Sequence, residues 1–252
     1  MAVRLAYQDR GAARPIHPAV ALSIPSGAIP RGRTPGLSLV PRATDPADPL
    51  DGISTVARFD RDAAVFHQGE DADAVYRLVE GVVRLFKLLP DGRRQIVGFV
   101  QAGDLFGLPL GERRALSAEA VTAIAVRRIP RARLLALMEE DPALRLRLLG
   151  VAAEALAAAQ DQMLLLGRKN AQEKICSFLG GLSRRRAAQG KDPVRLYVPM
   201  SRTDIADFLG LTIETVSRTI TKLKTSGLIR MLDGNKIELL DPAALAALAE
   251  GN

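Results

Sequence analysis

The chain has 252 residues, 48 % of them hydrophobic and 25 % charged, the balance of an ordinary globular protein of one or two domains. A single cysteine excludes an internal disulfide and a four-thiolate iron–sulfur cluster, and two histidines (His17 and His67) leave a Cys/His zinc site short of ligands, although one axial histidine for haem stays open. The net charge of +7 divides as +3 over residues 1–50, −1 over 51–167, +8 over 168–236 and −3 over 237–252. A near-neutral body therefore joins a basic module, which suits either a phosphate-backbone partner or a solvated basic surface.

No apolar run approaches the ~18 residues of a membrane span, and the N-terminus, bearing Arg and Pro, lacks the continuous apolar core of a secretory signal. With the lone thiol, these features predict a cytoplasmic protein with no membrane partner.

Residues 1–50 hold eight of the fifteen prolines and no lasting periodicity, so a disordered tail is expected there. Residues 51–138 read as a small antiparallel β domain. Val75–Val79 runs to Gly81, Val82–Leu88 to Pro90-Asp91-Gly92, and Gln95–Val100 to Gly103-Asp104, while Ala120–Ile129 alternates apolar positions as one further strand. Short strands punctuated by such turns point to a sandwich or barrel. Asp141-Pro142, an N-cap followed by proline in the first turn, opens a long helix within residues 139–167. Leu148, Val151, Ala155, Ala158, Gln162 and Leu165 continue from Leu144 at heptad spacing, beside a second row of Leu149, Ala152, Leu156, Ala159, Met163 and Leu166. One face is expected to pack on the β domain. The first row is assigned to a dimer interface, against the alternative of a single core helix.

Residues 168–243 carry the basic module. A helix around Lys174–Leu182 precedes Arg184-Arg185-Arg186, cations that suit a helix end. Ser201-x-x-Asp204 is a relative of the capping box, Gly210 permits a left-handed turn, and Thr212 starts a second helix with Val216, Ile220 and Leu223 inward. Asp233-Gly234-Asn235 then joins two short strands as a wing. The second helix turns Glu214, Ser217, Arg218 and Lys222 to one side. In a major groove Arg218 can donate bidentately to guanine, Glu214 can accept from cytosine N4, Ser217 can reach a base or phosphate, and Lys222 suits a phosphate. The alternative is a solvated face with one Glu–Arg pair. Residues 244–252 are read as a C-terminal tail.

The run Ile205–Lys222, with Glu214, Ser217 and Arg218 in a Glu-x-x-Ser-Arg pattern, resembles the Crp/Fnr superfamily of bacterial transcription regulators. Gly69-Glu70, Tyr76, Gly81 and Gly103-Asp104-Leu105-Phe106-Gly107 are similar to that family's cyclic-nucleotide-binding-type β-roll. The resemblance spans about residues 54–243. It implies an α+β protein with an antiparallel β-roll, a dimerisation helix and a winged helix-turn-helix, acting as a homodimer on a two-fold symmetric double-stranded DNA site. It places Ser201, Arg202, Thr212, Ile213, Glu214, Ser217, Arg218 and Lys222 at the DNA, and by position it offers the loop Gln189–Asp192 to RNA polymerase.

Departures narrow the resemblance. Members that bind cyclic AMP carry Gly-Glu-Leu and an Arg-Ser/Thr pair; here Gly107 precedes Leu108-Pro109, the later segment reads Ala115-Leu116-Ser117-Ala118, and Arg113 and Arg114 lie near but off the matching position. The oxygen sensors of the Fnr branch carry N-terminal cysteines, which this chain lacks. The remaining likeness is to the FixK-type branch, which works without a cofactor. It implies an activator of microaerobic or anaerobic metabolism genes. Ile213, where the cyclic-AMP branch has arginine, implies a TTGA-type rather than a TGTGA half-site. The alternative is a regulator gated by an effector other than cyclic AMP. Cys176 reads as a small buried hydrophobe or as a redox switch activated by nearby cations. Catalysis is not expected: the β domain offers one histidine, no workable carboxylate pair and no phosphate loop ending in Lys-Ser/Thr.

Overall fold

A computed structural model of the chain describes residues 48–108, 111–233 and 235–251. The proline-rich tail through residue 47, Pro109 and the wing-turn residue Gly234 lie outside the described residues.

Among the described residues, eight strands form the β domain: β1 (Thr55–Phe59), β2 (Ala64–Phe66), β3 (Ala74–Glu80), β4 (Val82–Leu88), β5 (Arg94–Gln101), β6 (Leu105–Phe106), β7 (Ser117–Ala120) and β8 (Ile124–Pro130). They make two antiparallel four-stranded sheets, ordered β1-β8-β3-β6 and β2-β7-β4-β5. Phe66, Tyr76 and Phe106 stack between them with ring centroids 5.4–6.1 Å apart. The segment expected as one strand over Ala120–Ile129 is two, β7 in one sheet and β8 in the other, because the chain crosses between sheets at residues 121–123. Gly81 links β3 to β4 at φ +89°, and a Cβ there would meet the Ala123 carbonyl oxygen at 2.5 Å, so both backbone and space demand glycine.

Residues 48–50 are not tail. The side chain of Asp48 is fully buried, accepts from Arg77 and from Arg147 Nη2 at 2.8 Å, and also accepts from the Leu50 backbone N–H at 3.0 Å. Leu50 joins a core of Val75, Leu105, Ile129, Leu134, Leu144 and Leu148. That core carries α1 (Arg131–Glu140) and the long α2 (Pro142–Arg168). Asp141 caps α2 as its Asp-Pro signature predicts, accepting from the N–H groups of Ala143 and Leu144.

Helix α3 (Ala171–Ala188), β9 (Arg195–Tyr197), α4 (Arg202–Leu209), α5 (Ile213–Thr225), β10 (Ile229–Leu232), β11 (Lys236–Leu239) and α6 (Pro242–Ala249) complete the chain. The wing is a three-stranded antiparallel sheet, β10-β11-β9. The C-terminal segment expected as a tail is instead α6, capped by Asp241, with Leu245 and Ala249 in the core. Strand β4 is buried on both faces: Val83 and Leu85 enter the sandwich, whereas Val82 and Phe86 join the core of the C-terminal half. Phe99 of β5 meets Phe178 of α3 and Phe208 of α4 there, with centroids 6.4 and 5.3 Å away.

Candidate nucleic-acid interface

Local chemistry builds the α4–α5 pair. Ser201 and Asp204 complete a reciprocal capping box on α4, with the Asp204 backbone N–H donating to the Ser201 hydroxyl at 3.0 Å and the Ser201 N–H to Asp204 Oδ2 at 3.1 Å. Gly210 ends α4 in the left-handed region at φ +60°. The Thr212 hydroxyl accepts from the Thr215 backbone N–H at 3.2 Å and starts α5. Val216, Ile220 and Leu223 then bury one face of α5, and Glu214, Ser217, Arg218, Thr221 and Lys222 stand exposed on the other. Burial of three apolar residues at 4- and 3-residue steps leaves the polar row facing outward.

Each expected DNA-contacting residue can be placed in this frame. Thr212, Ile213 and Glu214 lie exposed at the N-terminal end of α5. The Glu214 carboxyl is held below the usual carboxylate range by its own backbone N–H and the Thr212 hydroxyl, with Arg218 adding a smaller pull. It is an ionised acceptor at neutral pH, and the positive end of the helix dipole favours that state. Arg202 opens α4 half-buried, with its guanidinium pulled down by desolvation, and Ser201 is exposed beside it. Lys222 donates from Nζ to Gln172 Oε1 at 2.8 Å, which ties α5 to the first turn of α3. Fifty residues separate that pair, and no local sequence signal marks it. Arg185 and Arg186 occupy the last turn of α3 but turn inward, Arg185 onto Asp104 and Arg186 Nε onto the Asp192 carbonyl at 2.7 Å.

One expectation is corrected, and of the two alternatives for Cys176 burial favours the small hydrophobe. The row Leu148, Val151, Ala155, Ala158, Gln162 and Leu165 is turned to the chain itself: Leu148, Val151, Ala158 and Leu165 are buried, Ala155 and Gln162 half-buried, and Gln162 Nε2 donates to the Phe208 carbonyl at 2.8 Å. Side chains already covered have little apolar area left for a partner. The exposed row is Leu146, Leu149, Leu156 and Met163, each 62–70 % exposed, with Ala153 and Gln160 filling the heptad spacing. Cys176 is fully buried, and burial pushes its thiol up to about 11, so the reactive thiolate is suppressed and a redox switch has neither access nor nucleophile.

Between the β sandwich and α2 lies a cavity of about 240 Å³, whose lining includes Phe66, Phe106, Leu108, Leu116 and Val151. Arg114, set aside on sequence, stands in its wall, stacked 4.3 Å over Phe66. Its guanidinium donates to the carbonyls of Gly107 at 2.7 Å and Ala74 at 2.6 Å, and to Asp73 at 3.4 Å. The cation is thus engaged by the protein's own acceptors, and an anionic ligand would have to displace them.

Comparison with known proteins gives a consistent set of likenesses. A family model for a cyclic nucleotide-binding domain matches residues 56–141, and one for a Crp-like helix-turn-helix domain matches residues 173–248. The chain is 45 % identical to the transcriptional activatory protein AadR of Rhodopseudomonas palustris, over 81 % of this chain and 86 % of that one. It is 47 % identical to the nitrogen fixation regulation protein FixK of Bradyrhizobium diazoefficiens, over 76 % of this chain and 80 % of that one. Among solved structures, FixK2 from Bradyrhizobium japonicum superposes with a TM-score of 0.73 at 40 % identity, covering 78 % of this chain and 97 % of that one.

Proposed function

The chain belongs to the Crp/Fnr family of transcription regulators, and from that premise we propose that it is a homodimeric activator that reads a TTGA-type palindrome. Members of the family are DNA-binding regulators rather than enzymes. The observation that carries the finer reading is α5: one face is locked into the core, and Glu214, Ser217 and Arg218 project together from the other. Arg218 would donate to guanine and Glu214 accept from cytosine, while Ser201, Arg202, Thr212 and Lys222 would hold phosphates. Ile213 stands exposed where the cyclic-AMP branch has arginine, which favours TTGA over TGTGA.

Two copies of the exposed Leu149–Leu156–Met163 row would bring two reading helices to half-sites about one helical turn apart. The exposed Gly190–Asp192 stretch of the loop would face RNA polymerase. Relatives named as nitrogen fixation regulation proteins support a regulon of low-oxygen metabolism, read out in the cytoplasm.

One observation favours a second reading, in which the 240 Å³ apolar cavity takes a small neutral effector. Fluorescence anisotropy of the purified, ligand-free chain separates the two, using an inverted TTGA duplex, a TGTGA duplex and a scrambled duplex at stated salt under reducing conditions. Tight selective binding to TTGA is expected. Equal affinity for all three duplexes refutes the reading of α5, and weak binding to all supports the effector-gated alternative.

A further inference from the structure

Helix α4 is gripped at both ends by side chains from elsewhere in the chain. Near its N-terminus the buried Asp204 divides its carboxylate between two tasks. Oδ2 accepts from the Ser201 hydroxyl at 2.8 Å and its N–H at 3.1 Å to complete the cap. Oδ1 accepts from Arg94 Nη2 at 2.9 Å and lies 3.5 Å from Arg84 Nη1. Arg94 forks further, donating from Nε to Asp207 Oδ2 at 2.9 Å. At the other end the last carbonyls of a helix lack intrahelical donors. Here Gln95 Nε2 donates to the Asp207 carbonyl at 2.7 Å, and Gln162 Nε2 to that of Phe208 at 2.8 Å.

Arg84, Arg94 and Gln95 belong to the β domain and Gln162 to the long helix, so a helix of about two turns is fixed from two sides by groups that share no sequence with it. The setting of α4 passes directly to α5. The two are joined through Gly210 and Leu211, the Leu211 N–H donates to the Ala206 carbonyl at 3.1 Å, and a Cβ on Gly210 would touch Leu166 of α2 at 3.4 Å.

We propose that Arg94 and Gln95 are positioning residues for DNA reading: by gripping both ends of α4 they hold α5 at the angle at which Glu214, Ser217 and Arg218 are presented. The proposal rests on α5 being the reading helix. Without the grip, α5 is correctly set in only a fraction of molecules, and the apparent Kd rises in inverse proportion to that fraction. Neither residue lies on the α5 reading face, so the salt dependence of binding, which counts phosphate contacts, stays as in the parent.

The test uses the full chain and the inverted TTGA duplex, with thermal unfolding measured alongside. Arg94→Ala combined with Gln95→Ala is expected to weaken binding about tenfold with an unchanged salt slope. Arg94→Lys, which keeps the charge but loses the fork, should fall between that variant and the parent. Arg94→Ala should lose less in an Asp207→Ala background than in the parent, because only its bond to Asp204 is then left to remove. Parental affinity in the double variant, with only the melting temperature lowered, overturns the proposal and leaves the reading of α5 intact. A parent that binds the TTGA, TGTGA and scrambled duplexes with equal measurable affinity overturns both. If the alanine variant does not fold, Gln95→Ala alone takes its place, since it removes the bond to the Asp207 carbonyl and leaves both Arg94 bonds intact: weaker binding with an unchanged salt slope supports the grip, and a folded Gln95→Ala that binds as the parent does overturns it.

Discussion

Substituting Leu156 by glutamate tests the exposed face of α2 where the consequence is largest. Leu146, Leu149, Leu156 and Met163 are 62–70 % exposed in the single chain. Fully burying such a side chain contributes ~1.5–3 kcal/mol, so the exposed two-thirds of each offers ~1–2 kcal/mol on pairing. Four such residues on each of two helices supply ~8–16 kcal/mol gross, against an association cost of ~4–15 kcal/mol. The surplus is small enough that one position decides the outcome. Leu156 lies near the middle of the 27-residue helix, so a two-fold pairing sets both copies close together. Leu156→Glu removes ~2–4 kcal/mol of burial per dimer and adds two carboxylates that must be desolvated. The dimer dissociation constant should rise at least about 100-fold. Sedimentation velocity between about 1 and 50 µM reads this directly, and circular dichroism should show an intact fold because the residue packs on little in the single chain. Leu148→Glu is the contrasting arm: Leu148 is buried with Leu134 and Leu144, and its substitution should unfold the β-domain end of the helix. A Leu156→Glu protein that stays dimeric, beside a folded monomeric Leu148→Glu, would falsify the assignment of faces.

Other consequences are sharp enough to measure. Arg218→Ala should cost ~1–3 kcal/mol on the cognate duplex and relax one base position, whereas Lys222→Ala should weaken all sequences alike and flatten the salt slope; equal losses for Arg218→Ala on cognate and scrambled duplex would remove its specifying role. Burial alone would raise the carboxyl of Asp48, but the Arg147 hydrogen bond, the Leu50 N–H and the Arg77 charge outweigh it and hold the group below its ordinary value. Its stabilisation is therefore present above the unfolded value near 3.8 and is lost as pH falls through the lower folded one. Melting curves from pH 6 to 3 should show the parent's advantage over Asp48→Asn shrinking, and an advantage constant across that range would contradict the ion cluster. Cys176 should react with a thiol reagent only at the rate of global or local opening, and immediate modification of the folded chain would show that the thiol is accessible.

What the sequence announced was mainly local. The Ser201–Asp204 box, the Thr212 cap and the left-handed Gly210 involve partners within a few residues, so their spacing alone identifies the α4–α5 pair. Asp241-Pro242 carries the same cap signature as Asp141-Pro142, yet the Ala-rich stretch behind it has too little contrast between faces to mark α6 as a helix. Strand β9 turns only Leu196 inward, which leaves no alternation to detect. The choice between two apolar rows on α2 was not legible, because both keep heptad spacing and the decision is made by remote partners such as Phe208, 46 residues beyond Gln162. Arg114 was hidden for the same reason: its acceptors at Ala74 and Gly107 are brought side by side by the pairing of β3 with β6.

The double burial of β4 governs how far the protein can be taken apart. Composition divides the chain into a neutral sensor-like half and a basic reading half, and a truncation after α2 would seem a natural cut. Yet Val82, Phe86, Ile96 and Phe99 on the outer face of β4 and β5 are covered by the reading half. A fragment ending there would carry a contiguous apolar patch into water, a surface prone to aggregation. The two halves are separable as text and joined as solids, so heat should melt them as one cooperative unit.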